Sequence, residues 1–283
     1  MKKKIIANFF WDNEKISLYE YIFLKSFLKN NFKVNVFSYN KIKLPRGAIL
    51  RDASTILDKA EIKKFIHQGK KGCLAAFADK FRIEILKSNN GWWFDMDILC
   101  LKKAEEFKKL EKNKIVVGME TENYVNNAVL KISDFDFLKK ISKEIKQKGY
   151  ILKWGEIGPK LITKILKNEN KFKEALDNKY FYPVNYKNFR YLILPRYYTK
   201  AKCLCEKSFT IHTYNQIFNR LGIPKNILPP EGSLLHEKFL QYCPELKNNQ
   251  ALPEQTMERL IEKKNGFKEN LIDLIPSLIR SFR

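Results

Sequence analysis

The chain has no stretch approaching the roughly 18 consecutive apolar residues that cross a membrane, so no transmembrane helix is expected. Its opening, MKKKIIANFFW, has a basic head, but the apolar run is too short for a secretory signal, and Asp12, Asn13 and Glu14 follow at once; a cytoplasmic chain is expected. Cysteine is scarce and unpatterned. Cys73, Cys100, Cys203, Cys205 and Cys243 contain no C-x-x-C pair, and their odd number suits reduced thiols rather than a disulfide framework. Cys203 and Cys205 form a C-x-C pair without a companion pair, which argues against a structural zinc site. Histidine is limited to His67, His212 and His236. No internal repeat and no helix-turn-helix, zinc-finger or RNP-like signature is present. Acidic residues are also in short supply: 31 Asp+Glu face 54 Lys+Arg, leaving a net charge of +23.

That charge predicts attraction to polyanions, whether nucleic acid, anionic lipid or phosphorylated substrates. Many of the lysines fall in KK, LKN and KNK stretches, where they serve equally to solvate helix faces. With 45% hydrophobic and 13% aromatic residues in 283, the chain can bury one large core, or one core with a small appendage, and is not disordered.

Strand-like and helix-like segments alternate. Lys4 to Trp11 is an apolar run of strand length; Ile16, Tyr19, Ile22, Phe23 and Phe27 then recur at helical spacing as far as Asn30 and Asn31. Lys33 to Ser38 alternates with period two, and a further short strand is expected near Arg51 to Leu57. This is how a wound α/β sheet begins. Cys73 to Asn90 reads as a long helix closed by Asn-Gly, followed by a strand at Trp92 to Phe94. Lys114 to Met119 and Asn127 to Ile132 read as strands, and Phe135 to Lys148 as an amphipathic helix. A helix over Ile157 to Lys167 opens with Gly158-Pro159, the proline near N1 where its missing N–H costs nothing. Tyr180 to Tyr186, Tyr191 to Pro195 and Phe209 to Tyr214 are strand-like; after about Leu221 prolines multiply and a looser C-terminal appendage is expected.

The stretch DKFRIEILKSNNGWWFDMD, Asp79 to Asp97, carries the chemistry. On a helix Asp79 and Arg82 share a face, which as an isolated pair contributes only a few tenths of a kcal/mol. In an extended chain Asp95 and Asp97 point to one side, and two anions so close repel unless a cation lies between them. Oxygen-only ligation with open positions suits Mg²⁺ or Mn²⁺ carrying a diphosphate. A D-x-D alone is weak; its place behind an apolar strand strengthens it.

The segment AAFADKFRIEILKSNNGWWFDMD resembles, without a gap, the A-x-x-S-D-x-x-R-x-x-x-L-x-x-x-G-G-x-Y-x-D-x-D core of glycosyltransferase family 32, with the related α1,4-galactosyltransferases and capsular polysaccharide synthesis proteins. Asp79, Arg82, Leu86, Gly91, Asp95 and Asp97 fall in place; Ala78, Asn90 and Trp93 replace the usual serine, glycine and tyrosine. Fainter echoes are KKIIANFFW, YVNNAVLKI, EIGPKLIT, FYPVNY and IHTYNQIF. The resemblance implies a GT-A fold, a single α/β catalytic domain over residues 1–220 with a central mixed sheet flanked by helices, followed by an appendage over 221–283. It implies a metal-dependent retaining transferase with a UDP-sugar donor and Mn²⁺ or Mg²⁺. Asp97 would hold the metal, with Asp95 on the metal or the ribose. Asp79 would accept hydrogen bonds from donor-sugar hydroxyls, and Arg82 would orient Asp79 or reach a phosphate. Trp11 either stacks on uracil or is a plain core residue. Asn126 or Asn127 would contact the sugar, with Gly158 alongside. His212 is either a core histidine or the third metal ligand. No nucleophile stands out, so a front-face displacement is implied, with Glu156 as the spare carboxylate on the acceptor side.

The acceptor implied is a bacterial surface glycan, capsular polysaccharide or lipooligosaccharide, often lipid-linked. The basic surface then suits docking at the cytoplasmic face of the inner membrane, where each lysine adds about 1 kcal/mol. The tail ENLIDLIPSLIRSFR, apolar and basic but interrupted by Pro276, would add a membrane or partner contact. Two other classes compete: a basic nucleic-acid-binding protein or metal-dependent nuclease, disfavoured by the scatter of the basic residues, and a non-catalytic membrane-surface adaptor.

Overall fold

The computed structural model describes residues 4–88 and 91–262. The chain opens with β1 (Ile6–Phe10), α1 (Leu18–Lys29), β2 (Lys33–Ser38) and β3 (Ile49–Asp52). A small hairpin, β4 (Ile66–His67) and β5 (Lys70–Lys71), leads into α2 (Leu74–Ser88), β6 (Trp92–Phe94), β7 (Ile98–Cys100) and α3 (Ala104–Lys108). The antiparallel pair β8 (Ile115–Thr121) and β9 (Tyr124–Ile132) precedes α4 (Phe135–Lys148) and α5 (Pro159–Asn168). Short helices α6 (Asn178–Phe181), α7 (Arg190–Ile193) and α8 (Tyr198–Cys205) are followed by β10 (Thr210–His212), α9 (Asn215–Leu221), α10 (Leu234–Tyr242) and α11 (Glu254–Glu262).

Local chemistry explains several of these boundaries. Ser17 caps α1 in a reciprocal box with Glu20, and Asn31 at φ 68° turns the chain out of its far end. Asp134 caps α4 by accepting from the Phe137 N–H, and Pro159 starts α5. The sheet runs β3-β2-β1-β6-β9-β8, parallel from β3 to β6 and antiparallel from β6 to β8. Side chains alternate through it. Phe9, Val36, Trp92, Phe94 and Val129 face a layer that includes Leu24 and Phe27 of α1, while Phe10, Phe37, Trp93 and Leu130 face α2, α4 and α5. A sheet covered on both faces needs the near-continuous apolar strands seen here.

Three expectations change. Tyr180–Tyr186 and Tyr191–Pro195 are not strands but short helical turns, because Pro183 and Pro195 interrupt any ladder and the tyrosines pack from helical positions. The looseness expected beyond residue 220 is not seen through residue 262. Ile223, Leu228, Leu234, Leu235, Phe239, Met257 and Ile261 share one buried cluster with Tyr19, Ile22 and Phe23 of α1. The helices there are too short for their periodicity to show. The tail from Asn270 to Arg283, and Asn90 at the end of the sequence-predicted helix, lie outside the described residues.

Gly91 sits where β6 begins beside β1, and a Cβ there would come within 3.0 Å of the Ile6 carbonyl oxygen and still closer to the Asn8 amide. Gly91→Ala is expected to cost about 1–3 kcal/mol as an overpacked core site. Urea denaturation checks this.

Candidate functional site

The parallel strands deliver their carboxyl ends to one edge of the sheet, where ligands bind in open α/β folds. A cavity of about 600 Å³ opens there. Trp11, Asp79, Arg82, Asp95, Asp97, Asn126, Asn127, Glu156 and His212 all line it. Gly158 lies just behind: a Cβ at that position would overlap the Asp79 carboxylate, so only glycine lets the α5 entrance approach it.

Arg82 on α2 is the hub. Its Nη2 lies 3.3 Å from Asp79 Oδ1 and 3.2 Å from Asp95 Oδ1. Nη1 donates to the Asn127 carbonyl at 2.6 Å and Nε to the Ala78 carbonyl at 3.2 Å. The guanidinium lies over the Trp93 ring, 5.2 Å from its centroid, and Trp93 Nε1 donates to Asp95 Oδ1 at 2.7 Å. The intrahelical Asp79–Arg82 pair is thus one part of a buried junction of α2, β6 and β9. Asn127 Nδ2 donates to Asp79 Oδ1 at 2.8 Å. Burial pushes the Asp79 and Asp95 carboxyls up, with Arg82 opposing the rise at both.

Asp97 turns the other way. Its Oδ2 lies 3.2 Å from His212 Nε2 and accepts from the Asn215 N–H at 2.8 Å. Pairing of β7 with β10 brings these together, since His212 stands opposite Ile98 in the register. Tyr214 adopts φ 55°, ψ 57°, a strained left-handed conformation for a bulky residue, and so aims the Asn215 N–H at Asp97. Burial works against the Asp97 charge, but His212 and these hydrogen bonds outweigh it and hold the carboxyl below its ordinary range. Burial likewise disfavours the His212 cation, yet Asp97 raises its pKa overall.

The two adjacent asparagines have different tasks. Between Val117 and Gly118 the β8–β9 register jumps from Leu130 to Asn126, leaving three β9 residues bulged. Tyr182 closes that bulge: its hydroxyl accepts from the Val129 N–H at 2.9 Å and reaches the Asn126 carbonyl at 3.4 Å. Asn127 then holds Asp79, while Asn126 donates from Nδ2 to Glu120 Oε2 at 3.2 Å. Glu120, Tyr182 and Asn215 escaped the sequence reading. Either acid in GMETEN and a tyrosine in FYP carry no spacing signal, although the FYP resemblance already marked the latter segment. Glu156 lies at the mouth, bound by Lys148 Nζ and the Lys153 N–H, each at 2.8 Å. Trp11 is pinned through its indole N–H to the Lys15 carbonyl at 2.9 Å, leaving its ring on the cavity wall.

Asp95, Asp97 and His212 offer oxygen and imidazole donors of the types that suit Mn²⁺ or Mg²⁺, and His212 Nδ1 is buried with no hydrogen-bond partner among the described residues. Among the described residues no three acidic, histidine or cysteine side chains already converge on one point. Asp95 leans to Arg82 and Asp97 to His212. The donor types suit a divalent ion, but the three side chains are not gathered about one point.

Residues 136–249 match the family model of the alpha 1,4-glycosyltransferase conserved region. No curated protein matches the chain. Among solved structures, the bifunctional glycosyltransferase WbbM in its apo form is similar over 88% of this chain at 10% identity, with a TM-score of 0.50. The chain spans only 50% of the length of that structure. The galactosyltransferase LgtC, in complex with donor and acceptor sugar analogues, is similar over 89% of this chain and 98% of its own at 13% identity, with a TM-score of 0.46. GlyE of Streptococcus pneumoniae TIGR4 is similar over 85% of this chain and 60% of its own at 13% identity, TM-score 0.45. The central mixed sheet flanked by helices is the GT-A glycosyltransferase arrangement.

Arg82→Ala is expected to leave the Asp79 and Asp95 carboxylates buried without their cation, at a cost of about 3–5 kcal/mol. Equilibrium urea unfolding of the variant against the unaltered protein measures it.

Proposed function

We propose that this chain, a glycosyltransferase by its conserved region and its fold, moves a sugar from a UDP-sugar to a bacterial surface glycan such as capsular polysaccharide or lipooligosaccharide, with retention of anomeric configuration. The observation that carries the reading is the placement of Asp95 and Asp97 just past β6, on the wall of one cavity with Asp79 and Asn127. A UDP-sugar laid across the ends of β1 and β6 meets the Trp11 ring at its base end and Asp79 at its sugar end.

Asp95, Asp97 and His212 would hold Mn²⁺ or Mg²⁺, which supplies positive charge to the diphosphate as the bond to the sugar breaks. The chain's own residues do the rest. Asp79, fixed by Arg82 and Asn127, accepts hydrogen bonds from donor-sugar hydroxyls. Gly158 keeps that carboxylate from being displaced. Glu156, with Lys153 and Trp154 at the mouth, faces the acceptor. The acceptor hydroxyl attacks from the side of the departing diphosphate, whose oxygen takes its proton. No helix among the described residues is long and apolar enough to cross a membrane. The net charge of +23 supports docking on the anionic cytoplasmic face of the inner membrane.

UDP binding is expected to need Mn²⁺ or Mg²⁺, and Asp97→Asn is expected to lose about 10²-fold or more in turnover with folding retained. Titration calorimetry of UDP with Mn²⁺ and in EDTA checks this; equal binding in both would remove the metal from the reading.

A further inference from the structure

The carboxylates that line the cavity differ in how their charge is met. Asp12 lies 4.0 Å from Lys59, Asp79 and Asp95 share Arg82, Asp97 faces His212, and Glu156 faces Lys148. Glu120 is 8% exposed and has no ion pair among the described residues. Its described hydrogen bond comes from the neutral amide of Asn126, at 3.2 Å. Burying a carboxylate without a directly paired cation is costly, and such a group on the wall of a cleft is a candidate functional residue.

Backbone geometry turns Glu120 toward the cavity. Met119 stands opposite Val125 and Thr121 opposite Tyr124, so Glu120 is the extra residue of a β-bulge, the device by which strands re-aim a side chain beside a site. Asn126 is locked in turn, its Oδ1 accepting the Ala128 N–H at 2.8 Å while its Nδ2 holds Glu120. Gly118 lets β8 bend past Phe181 and Tyr182, where a Cβ would come within 2.8 Å and 2.9 Å of their rings. The strand order places β8 two steps from β6. Two strand spacings are roughly 10 Å, a distance that a hexose on a diphosphate spans.

We propose that Glu120 is a further catalytic carboxylate of the transfer, facing the sugar from the side of the cavity opposite the diphosphate and balancing the positive charge that develops at the anomeric carbon. This rests on the donor reading above. As the anomeric C–O bond breaks, its electron pair leaves on the nucleoside diphosphate and the sugar becomes cationic in character. Glu120 then gains a close cationic partner, where among the described residues it has only the more distant charge of His212. The acceptor oxygen closes the new bond, its proton passes to the departing diphosphate, and Glu120 ends unchanged. Burial also pushes the Glu120 carboxyl up, and the charge of His212 opposes that rise.

The test uses the full chain and whichever of a panel of UDP-hexoses it hydrolyses fastest. Glu120→Gln keeps the shape and the amide contact; it is expected to lower kcat by about 10²-fold or more while KM and the Kd for UDP stay nearly unchanged. Glu120→Ala is expected to recover part of its rate in formate, which puts a small carboxylate back into the gap. Near-normal kcat in Glu120→Gln, or a loss in Glu120→Ala that formate does not relieve, would overturn the proposal alone. If the unaltered protein neither binds UDP nor hydrolyses any member of the panel, the donor reading falls and the proposal with it.

Discussion

Arg82 stands between Asp79 and Asp95, and much of the site follows from that one shared guanidinium. Two carboxylates cannot remain charged in a buried corner without a cation, and a planar fork with several donors can serve both while also binding the Asn127 and Ala78 carbonyls. The helix that carries Arg82 must therefore pack where β6 ends and β9 bulges. Trp93 completes the junction by covering the guanidinium and bonding to Asp95. What serves folding here also sets the distance between the acid proposed for the sugar and the acid proposed for the metal.

On the far side of Asp97 the support is of another kind. A left-handed Tyr214 and the β7–β10 pairing hold His212 and the Asn215 N–H against the carboxylate, and Asn215 Nδ2 reaches on to Glu20 in the α1 capping box at 3.0 Å. Glu20 is fully buried and also accepts from Lys225 Nζ at 2.7 Å. The first helix and the segment after β10 thus share a charge as well as an apolar cluster, which accounts for the packing of a stretch whose pattern reads as loose.

How much of this the sequence discloses depends on how far apart the partners lie. Asp79 and Arg82 share one helix and Asp95 and Asp97 follow the next strand, so their spacing places them close together; Asp95 does meet Arg82, but Asp97 turns to His212, and the two aspartates do not face one point as expected. The α4 boundaries, Phe135 to Lys148, are read correctly because Asp134 caps a strongly periodic segment. Glu120 is hidden because a bulge breaks the period-two rule that assigns a strand residue to a face. Tyr182 is hidden because it stabilises β9 from 56 residues away along the chain, through Asn126. Tyr180 to Tyr186 reads as a strand by composition, yet short helices form there because tertiary packing overrides propensity.

A double-mutant cycle through Asp79→Asn and Asp95→Asn tests the shared guanidinium most directly. Either single change leaves Arg82 one carboxylate, whereas the double change leaves a buried cation with none. Urea unfolding should therefore show the double variant less stable than the sum of the singles by about 0.5–3 kcal/mol, the range for residues coupled through one network. Additivity to within about 0.3–0.5 kcal/mol would mean that the two acids are independent and that Arg82 does not join them.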